Sequence, residues 1–228
     1  VLGGSRTGWS PAIALFMPWA YSVGSSSYIL TAFKIFVLGS NQVLTAGRTG
    51  MLASMAPVFI LGVLSKRVKV LIFVFFAVFV VSIYAIKNLE GLRLDKGGID
   101  SIESLDELST GRVGDYIIAG KIILESPFTG QGFNDLAHGG EYASPHNVFI
   151  RLTAIGGVFL GGSALGLVFL GLFSGYNKFR SSPVRQAAFL TLVSGFFVAM
   201  LEPQFIFGNF NNSIFWWFCF CLCVSKRV

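Results

Sequence analysis

Residues 152–177 read LTAIGGVFLGGSALGLVFLGLFSGYN and contain no Asp, Glu, Lys or Arg. A helix crosses the hydrocarbon of a bilayer with about 20 mostly apolar residues, so this stretch predicts a membrane-spanning helix. The rest of the chain agrees, since only 12% of its 228 residues are charged and the mean hydropathy is +0.71. Soluble domains carry about 25% charged residues, so a cytosolic enzyme, a nucleic-acid-binding protein and a disordered tail all fit poorly.

Other uncharged stretches predict further helices, which makes the chain an all-α, polytopic membrane protein. We expect about seven spans, with four in residues 1–87 and three in residues 147–228, separated by a long outer loop at 88–146. The predicted spans lie near residues 9–23, 28–46, 50–64, 70–87, 147–173, 187–202 and 213–224.

The basic residues in the short connections predict the orientation. They form three clusters, at residues 66–69, 178–185 and 226–227, and an even number of predicted spans separates each cluster from the next. All three therefore lie on one side, which the positive-inside rule makes the cytoplasm. Segment 88–146 carries ten acidic and four basic side chains, which gives a formal charge of −6, and lies on the outer side.

A repeated Arg-Thr-Gly element precedes two of the predicted spans. Arg6 and Arg48 occupy the same position in the two copies, Ser-Arg-Thr-Gly at 5–8 and Gly-Arg-Thr-Gly at 47–50. Both arginines are expected on the outer side, where the positive-inside rule does not favour them. A guanidinium presents a planar set of donors that matches phosphate oxygens. The pair is therefore a candidate anion-binding site, and the alternative is that each Arg only anchors its helix at the interface.

A histidine stands where the outer loop meets the fifth predicted span, in Ser-Pro-His-Asn at 144–147. His146 can exchange protons near neutral pH and can act as a general base toward a hydroxyl. Asn147 is expected to cap the helix or to orient the imidazole. The alternative is that His146 only starts the helix. His138 and Glu141 are not expected to bind a metal, because no third strong ligand repeats their spacing.

The second half of the outer loop predicts an amphipathic helix on the outer interface, from Arg112 to about residue 124. Glu-Ser-Pro at 125–127 ends it, since a proline disfavours helix at the residue before it. Phe-Thr-Gly-Gln-Gly-Phe at 128–133 predicts a tight turn bent by glycines, with both phenylalanines packed. Arg112 would lie close to the two earlier arginines if the loop folds back.

Two charged residues near the predicted span ends are supporting candidates. Arg151 follows Asn147 by one turn, and it either reaches the outer interface or faces an internal polar cavity. Glu202 closes the sixth span on the outer side, where it pairs with an arginine, takes part in proton transfer or only caps the helix. Glycines four apart, at 157 and 161 and at 162 and 166, predict close helix packing.

These elements occur in one order: the outward Arg-Thr-Gly elements, a long outer loop, an Arg-led helix, Ser-Pro-Phe-x-Gly-x-Gly-Phe at 126–133 and Pro-His-Asn at 145–147. In combination they resemble the O-antigen ligase and O-antigen or exopolysaccharide polymerase family, from about Ser5 to about Gly162. Members of that family are larger, with ten to fourteen spans. The chain is expected to correspond to the C-terminal part of one.

The resemblance implies a glycosyltransferase of the integral-membrane C class. Such an enzyme moves a glycan from undecaprenyl diphosphate to a sugar hydroxyl, on a glycan or a lipid A core, at the periplasmic face of the bacterial inner membrane. It uses neither a metal nor another cofactor. The family's essential arginines correspond to Arg6, Arg48 and Arg112, and its essential histidine to His146. Two positions depart from the family pattern, which often has Gln where Arg151 stands and Glu where Ile155 stands.

Three alternatives stay open. A ligase and a polymerase share the donor chemistry and differ only in the acceptor, and nothing in the sequence separates them. A transporter of polysaccharide or lipid-linked glycan also fits broken membrane segments, but its polar residues should lie near the midplane, whereas here they concentrate at the outer face. The third alternative is a fragment without catalytic activity, because half of the family's spans are not in the chain.

Overall fold

The computed structural model describes residues 6–23, 28–44, 48–64, 112–133, 136–203, 205–207 and 210–226. The helices are α1 (Arg6–Ser22), α2 (Tyr28–Leu44), α3 (Arg48–Leu64), α4 (Arg112–Glu125), α5 (Val148–Lys178), α6 (Pro183–Leu201) and α7 (Phe210–Val224). Two short antiparallel strands, β1 (Leu136–His138) and β2 (Glu141–Ala143), form a hairpin between α4 and α5. The described residues are mostly helical, as the sequence predicts, although the hairpin was not predicted.

Two of the described helices, α5 and α6, are long and apolar enough to cross a membrane. Shorter apolar helices occupy Thr49–Leu64 and Ser213–Val224. Helices lie at six of the seven positions predicted for spans, and the remaining one, near 70–87, lies outside the described residues. The membrane character of the chain is thus confirmed in part, while the count of seven spans stays a prediction.

Helix α6 lies at the centre of the bundle, where it packs on α1, α3, α5 and α7. Every residue from Ala187 to Gly195 is buried. Thr191 joins two helices, because its hydroxyl accepts a 3.1 Å hydrogen bond from the Trp19 indole and donates one of 3.0 Å to the Leu15 carbonyl. The fully buried Trp216 packs against Gly195, where any side chain would collide with the indole.

Basic side chains gather at one end of the bundle, which we call the basic end. Arg180, in the turn between α5 and α6, donates a 2.8 Å hydrogen bond to the carbonyl of Leu64 at the end of α3. Lys178 donates to three carbonyls at the end of α7: those of Cys223, Val224 and Ser225. Helix α3 has 17 residues and is about 25 Å long, so Arg48 begins it at the opposite end. The first turn of α5 lies at that opposite end too, which we call the His146 end.

Helix α5 is interrupted at Gly156 and Gly157, whose backbone angles are not helical. The turn that follows α4 fills the interruption with three main-chain hydrogen bonds, each 2.8 Å long. Gln131 and Gly132 donate to the carbonyls of Ala154 and Ile155, and Val158 donates to the carbonyl of Pro127. The predicted turn at 128–133 therefore exists, with positive φ at Gly130 and Gly132, and it is joined to a break that was not predicted.

No neighbouring helix among the described residues approaches the first glycines of α5, so their predicted packing role stays a prediction. A Cβ at Gly162 or Gly166 would meet no described atom within 4 Å, and one at Gly161 would meet Thr153 of the same helix. Gly157 faces the turn rather than another helix. Close approach of a neighbouring helix occurs further along, at Gly171 and at other small residues of the bundle core: Gly175 and Gly195.

Candidate functional site at the start of α5

Helix α4 is hydrogen-bonded to the segment that carries His146. The Asp115 carboxylate accepts a 2.9 Å hydrogen bond from the Ser144 amide, and the Tyr116 hydroxyl donates one of 3.1 Å to the His146 carbonyl. Residues three and four positions apart lie on the same side of a helix, so Arg112 shares this face of α4. Two predicted site residues, Arg112 and His146, thus belong to elements in direct contact.

The His146 imidazole is partly buried, and its Nδ1 atom is fully buried. No hydrogen-bond partner for Nδ1 lies among the residues that the structure describes. A buried polar atom without a partner costs about 1–3 kcal/mol. A neutral imidazole keeps one nitrogen as an acceptor. Nδ1 therefore lacks a partner among the described residues, and because it is buried, an acceptor hydroxyl can reach it only if neighbouring atoms move aside.

Asn147 caps α5, as the sequence predicts. Its backbone is extended, with φ −151° and ψ 117°, and its side-chain oxygen accepts hydrogen bonds from the amides of Phe149 and Ile150, at 2.9 and 3.1 Å. Its side-chain amide lies 3.6 Å from the sulfur of Met200 on α6. The cap therefore fixes both the start of α5 and its contact with the end of α6, directly after His146.

The end of α6 meets the first turns of α5. Arg151 donates a 3.4 Å hydrogen bond to the carbonyl of Pro203, so its guanidinium reaches toward the end of α6. Glu202 is the C-cap residue of α6, and its amide donates to the Val198 carbonyl at 2.8 Å. Within the described part of the chain, no ion pair joins the Glu202 carboxylate to an arginine.

The remaining two arginines begin helices of the bundle. Arg48 is the first residue of α3 and lies at the His146 end, and Arg6 is the first residue of α1, which packs beside α3. Their side chains lie outside the described part of the structure. The arrangement therefore places the start of α3 at the same end of the bundle as His146, and the two guanidinium positions stay predictions.

Sequence reasoning missed Asp115 and Tyr116, although both follow Arg112 at helical spacing. Burial raises the pKa of the Tyr116 hydroxyl; the positive charge of Arg112 lowers it and the negative charge of Asp115 raises it, and the outcome is above the ordinary value. The hydroxyl is therefore protonated near neutral pH and donates to the His146 carbonyl. The helical spacing from Arg112 is the signal that could have found both residues.

The hairpin contacts α4 and the turn that follows it through side chains that are not among the candidate site residues. His138 lies 3.2 Å from the carboxylate of Glu125 at the end of α4. The Gln131 side chain pairs with the main chain of Ala137, through hydrogen bonds of 2.6 and 3.1 Å. Within the described residues, His138 has a carboxylate partner rather than a set of three metal ligands.

A sequence profile described as O-antigen ligase matches residues 33–165, which is more than half of the chain. The chain belongs to the O-antigen ligase family. The matched region contains Arg48, Arg112, His146, Asn147 and Arg151, and it leaves out the other two candidates, Arg6 and Glu202. No curated protein matches the sequence.

The predicted resemblance is thus confirmed, although the match begins at residue 33 rather than near Ser5. Membership of the O-antigen ligase family implies glycan transfer of the ligase or polymerase type. It also implies a lipid-linked glycan and an acceptor as substrates, in the inner membrane. For a family member of this kind, the contact between α4 and the His146 segment becomes the candidate active site.

Proposed function

We propose that this protein moves a glycan from undecaprenyl diphosphate to a sugar hydroxyl at the periplasmic face of the bacterial inner membrane. One observation carries the proposal: the α4 face that includes Arg112 is hydrogen-bonded to the segment of His146, whose Nδ1 atom is buried without a partner among the described residues. A positive charge and an imidazole with one unpaired nitrogen therefore belong to one junction. An inverting transfer from a diphosphate can use the imidazole to take the acceptor proton and the positive charge to stabilise the leaving group.

In the proposed reaction, His146 is the general base. It takes the proton of the acceptor hydroxyl while the hydroxyl oxygen attacks the anomeric carbon. The bond between that carbon and the diphosphate oxygen breaks, and the diphosphate leaves with the electron pair. Because attack and departure occur on opposite faces of the sugar in one displacement, the anomeric configuration inverts.

The arginines stabilise the leaving group. Negative charge grows on the diphosphate as the glycosidic bond breaks, and fixed cations in a partly dry site stabilise that charge without reorganisation. We assign this role to Arg112, Arg48 and Arg6, whose guanidinium groups stay charged and fit phosphate oxygens. With three such cations, the reaction needs no metal ion in this proposal.

Three further residues support the site. Asn147 fixes the start of α5 behind His146 through its cap. Arg151 holds the end of α6 against α5 through the Pro203 carbonyl. We assign Glu202, the C-cap of α6, to proton transfer from His146.

The test is a transfer assay with the purified full-length protein in liposomes and an undecaprenyl-diphosphate-linked glycan as donor. One arm offers a lipid A core as acceptor and another offers a second lipid-linked glycan, so the product separates a ligase from a polymerase. A third arm contains a chelator. The proposal expects an inverted linkage in one acceptor arm and no effect of the chelator. A retained anomeric configuration, or loss of activity with the chelator, contradicts it.

A further inference from the structure

The interruption of α5 is closed by main-chain atoms of a different segment, an arrangement that we call the splice. It consists of the three hydrogen bonds between the turn at 127–132 and the residues around Gly157. In an uninterrupted helix the Ala154 carbonyl would accept from the Val158 amide. In the splice the turn takes both groups as partners. The break therefore leaves neither of them unpaired in an apolar environment, where such a group would cost several kcal/mol.

Glycine is required on both sides of the splice. Gly157 has φ +73°, and a Cβ there would overlap the Phe128 carbonyl. Gly130 has φ +64°, and a Cβ there would overlap the Ile155 carbonyl. Positive φ favours glycine, and the close approach of two main chains excludes any side chain. The splice thus depends on two glycines that face each other's main chains.

The splice completes the attachment of α4 to α5. The first turns of α4 hold Ser144 and His146, as described above, and the turn after α4 is spliced into the break. Between these two attachments lies a small separate hydrophobic cluster, formed by Ile118, Ala119, Ile122, Leu136, Ala154 and Ile155. Helix α4 is therefore fixed at both ends, so that Arg112 and His146 share one rigid frame.

We propose that Gly130 and Gly157 are positioning residues for the transfer reaction, because the splice sets the place of Arg112 relative to His146. This inference rests on the proposed function. If the splice is disrupted, α4 loses the attachment at its C-terminal end and Arg112 shifts relative to the base. A misplacement of about 1 Å at a catalytic group costs on the order of 10²-fold in rate. The loss falls on kcat, because the arginine stabilises charge that develops only in the transition state.

Two pairs of variants test the splice with matched controls. Gly130→Ala is compared with Gly139→Ala, because Gly139 has nearly the same φ, +63°, and a Cβ there meets no described atom within 4 Å. Gly157→Ala is compared with Gly162→Ala, which adds a methyl to the same helix in open space. We expect kcat to fall on the order of 10²-fold in the splice variants and by no more than about twofold in the controls. Equal effects within a pair overturn the proposal.

A double-variant cycle shows whether the splice acts through Arg112. Arg112→Ala is made in the parent and in the Gly130→Ala background, and kcat is compared. If the splice positions Arg112, Arg112→Ala lowers kcat by a much smaller factor in the Gly130→Ala background than in the parent. The reason is that substitutions of residues that act as a unit do not have additive effects. The same cost in both backgrounds overturns the proposal. If Arg112→Ala leaves kcat of the parent unchanged, the result contradicts the proposed function instead.

A distance measurement tests the splice independently of activity. Spin labels are placed on the exposed positions Lys121 in α4 and Ser163 in α5, in a background where the three native cysteines are replaced by alanine. We expect a narrow distance distribution in the parent and in Gly139→Ala, and a shifted or broadened one in Gly130→Ala. If Gly130→Ala does not fold, Gly157→Ala serves as the second variant. An unchanged distance in a folded splice variant overturns the proposal, whatever happens to the rate.

Discussion

The Tyr116 hydroxyl donates a 3.1 Å hydrogen bond to the main-chain carbonyl of His146. The bond links the second turn of α4 to the residue directly before the cap of α5. A second bond, from the Ser144 amide to Asp115, fixes the same segment two residues earlier. The direction of an imidazole follows from its main chain and its rotamer, so α4 helps to set where the His146 side chain points.

Tyr116→Phe removes this bond and keeps the ring. A typical hydrogen bond contributes about 1 kcal/mol, which corresponds to a loss of roughly fivefold in kcat if the bond positions His146. KM for the lipid-linked donor should stay the same, because Tyr116 is not assigned to binding. Steady-state transfer kinetics measure both quantities. The control is Tyr142→Phe in the exposed hairpin, and an equal loss in that variant would show that the bond has no special role.

The stability that the Tyr116 hydroxyl contributes should fall as the pH becomes alkaline. Burial raises the pKa of Tyr116 in the folded protein above its ordinary value of 10.0, so the folded state holds this proton more tightly than the unfolded state. The resulting stability is complete below that ordinary value and is lost as pH rises through the folded pKa. The difference in Tm between the parent and Tyr116→Phe should be constant at neutral pH and shrink in alkaline buffer. A difference that grows with pH would contradict this.

His146→Ala should lower kcat by about 10²–10⁴-fold, the range that general-base catalysis supplies. The reason is that no other described imidazole lies at the start of α5. His138→Ala is the matched control, because His138 pairs with Glu125 in the hairpin and not with the site. Transfer of labelled glycan is measured for both variants in liposomes. A His146→Ala protein with the parent's rate would remove the base assignment.

Arg112→Ala should lower kcat by about 10²–10³-fold, the usual loss for one donor to a developing negative charge. Arg112→Lys should recover only part of the rate, since an ammonium keeps the charge but not the planar set of donors. Lys121→Ala, at an exposed position on the same helix, is the control for a general loss of positive charge. Measuring kcat for all three variants shows whether Arg112 acts through its guanidinium geometry or through its charge. A full recovery by lysine would show that charge alone matters.

Asn147→Ala should destabilise the start of α5. Loss of an N-cap costs about 1 kcal/mol, and here the amides of Phe149 and Ile150 would lose their acceptor. Asn147→Asp keeps an oxygen at the cap and should retain the stability. Thermal unfolding in detergent measures the difference. A Tm that is equally low in both variants would mean that the contact with Met200, rather than the cap, stabilises this junction.

The sequence predicted helix α4 and the N-cap of α5, because interactions between neighbouring residues determine both. The bounds of α4 follow from the apolar spacing after Arg112 and from Pro127, and the cap of α5 follows from Asn147 before an apolar run. Both are confirmed. The hairpin could not be predicted, because its strands have three residues each. It is held by a side chain from outside, Gln131, and such a contact leaves no periodic pattern in the strands themselves.

The break in α5 escaped prediction for a different reason. Gly156 and Gly157 stand within a long uncharged stretch that fits one continuous span, and glycine alone is tolerated in a membrane helix. What breaks the helix is the arrival of another main chain, from residues 127–132. Neither composition nor periodicity predicts that two segments distant in sequence will bring their main chains together. The shared face of Arg112 and Tyr116, by contrast, was available from helical spacing and was overlooked.

The splice has a consequence for how this protein can vary. All three of its bonds join main-chain atoms, so it constrains the two glycines directly and depends little on which side chains stand at Phe128 and Phe133. The sequence predicts that Phe128 and Phe133 pack, but they are 65% and 89% exposed, and Phe128 contacts Phe159 with 6.0 Å between the ring centroids. A library that randomises Phe128, Thr129 and Phe133 should therefore retain folding in most members. The turn is thus a place where side chains can vary while the frame beneath it stays unchanged.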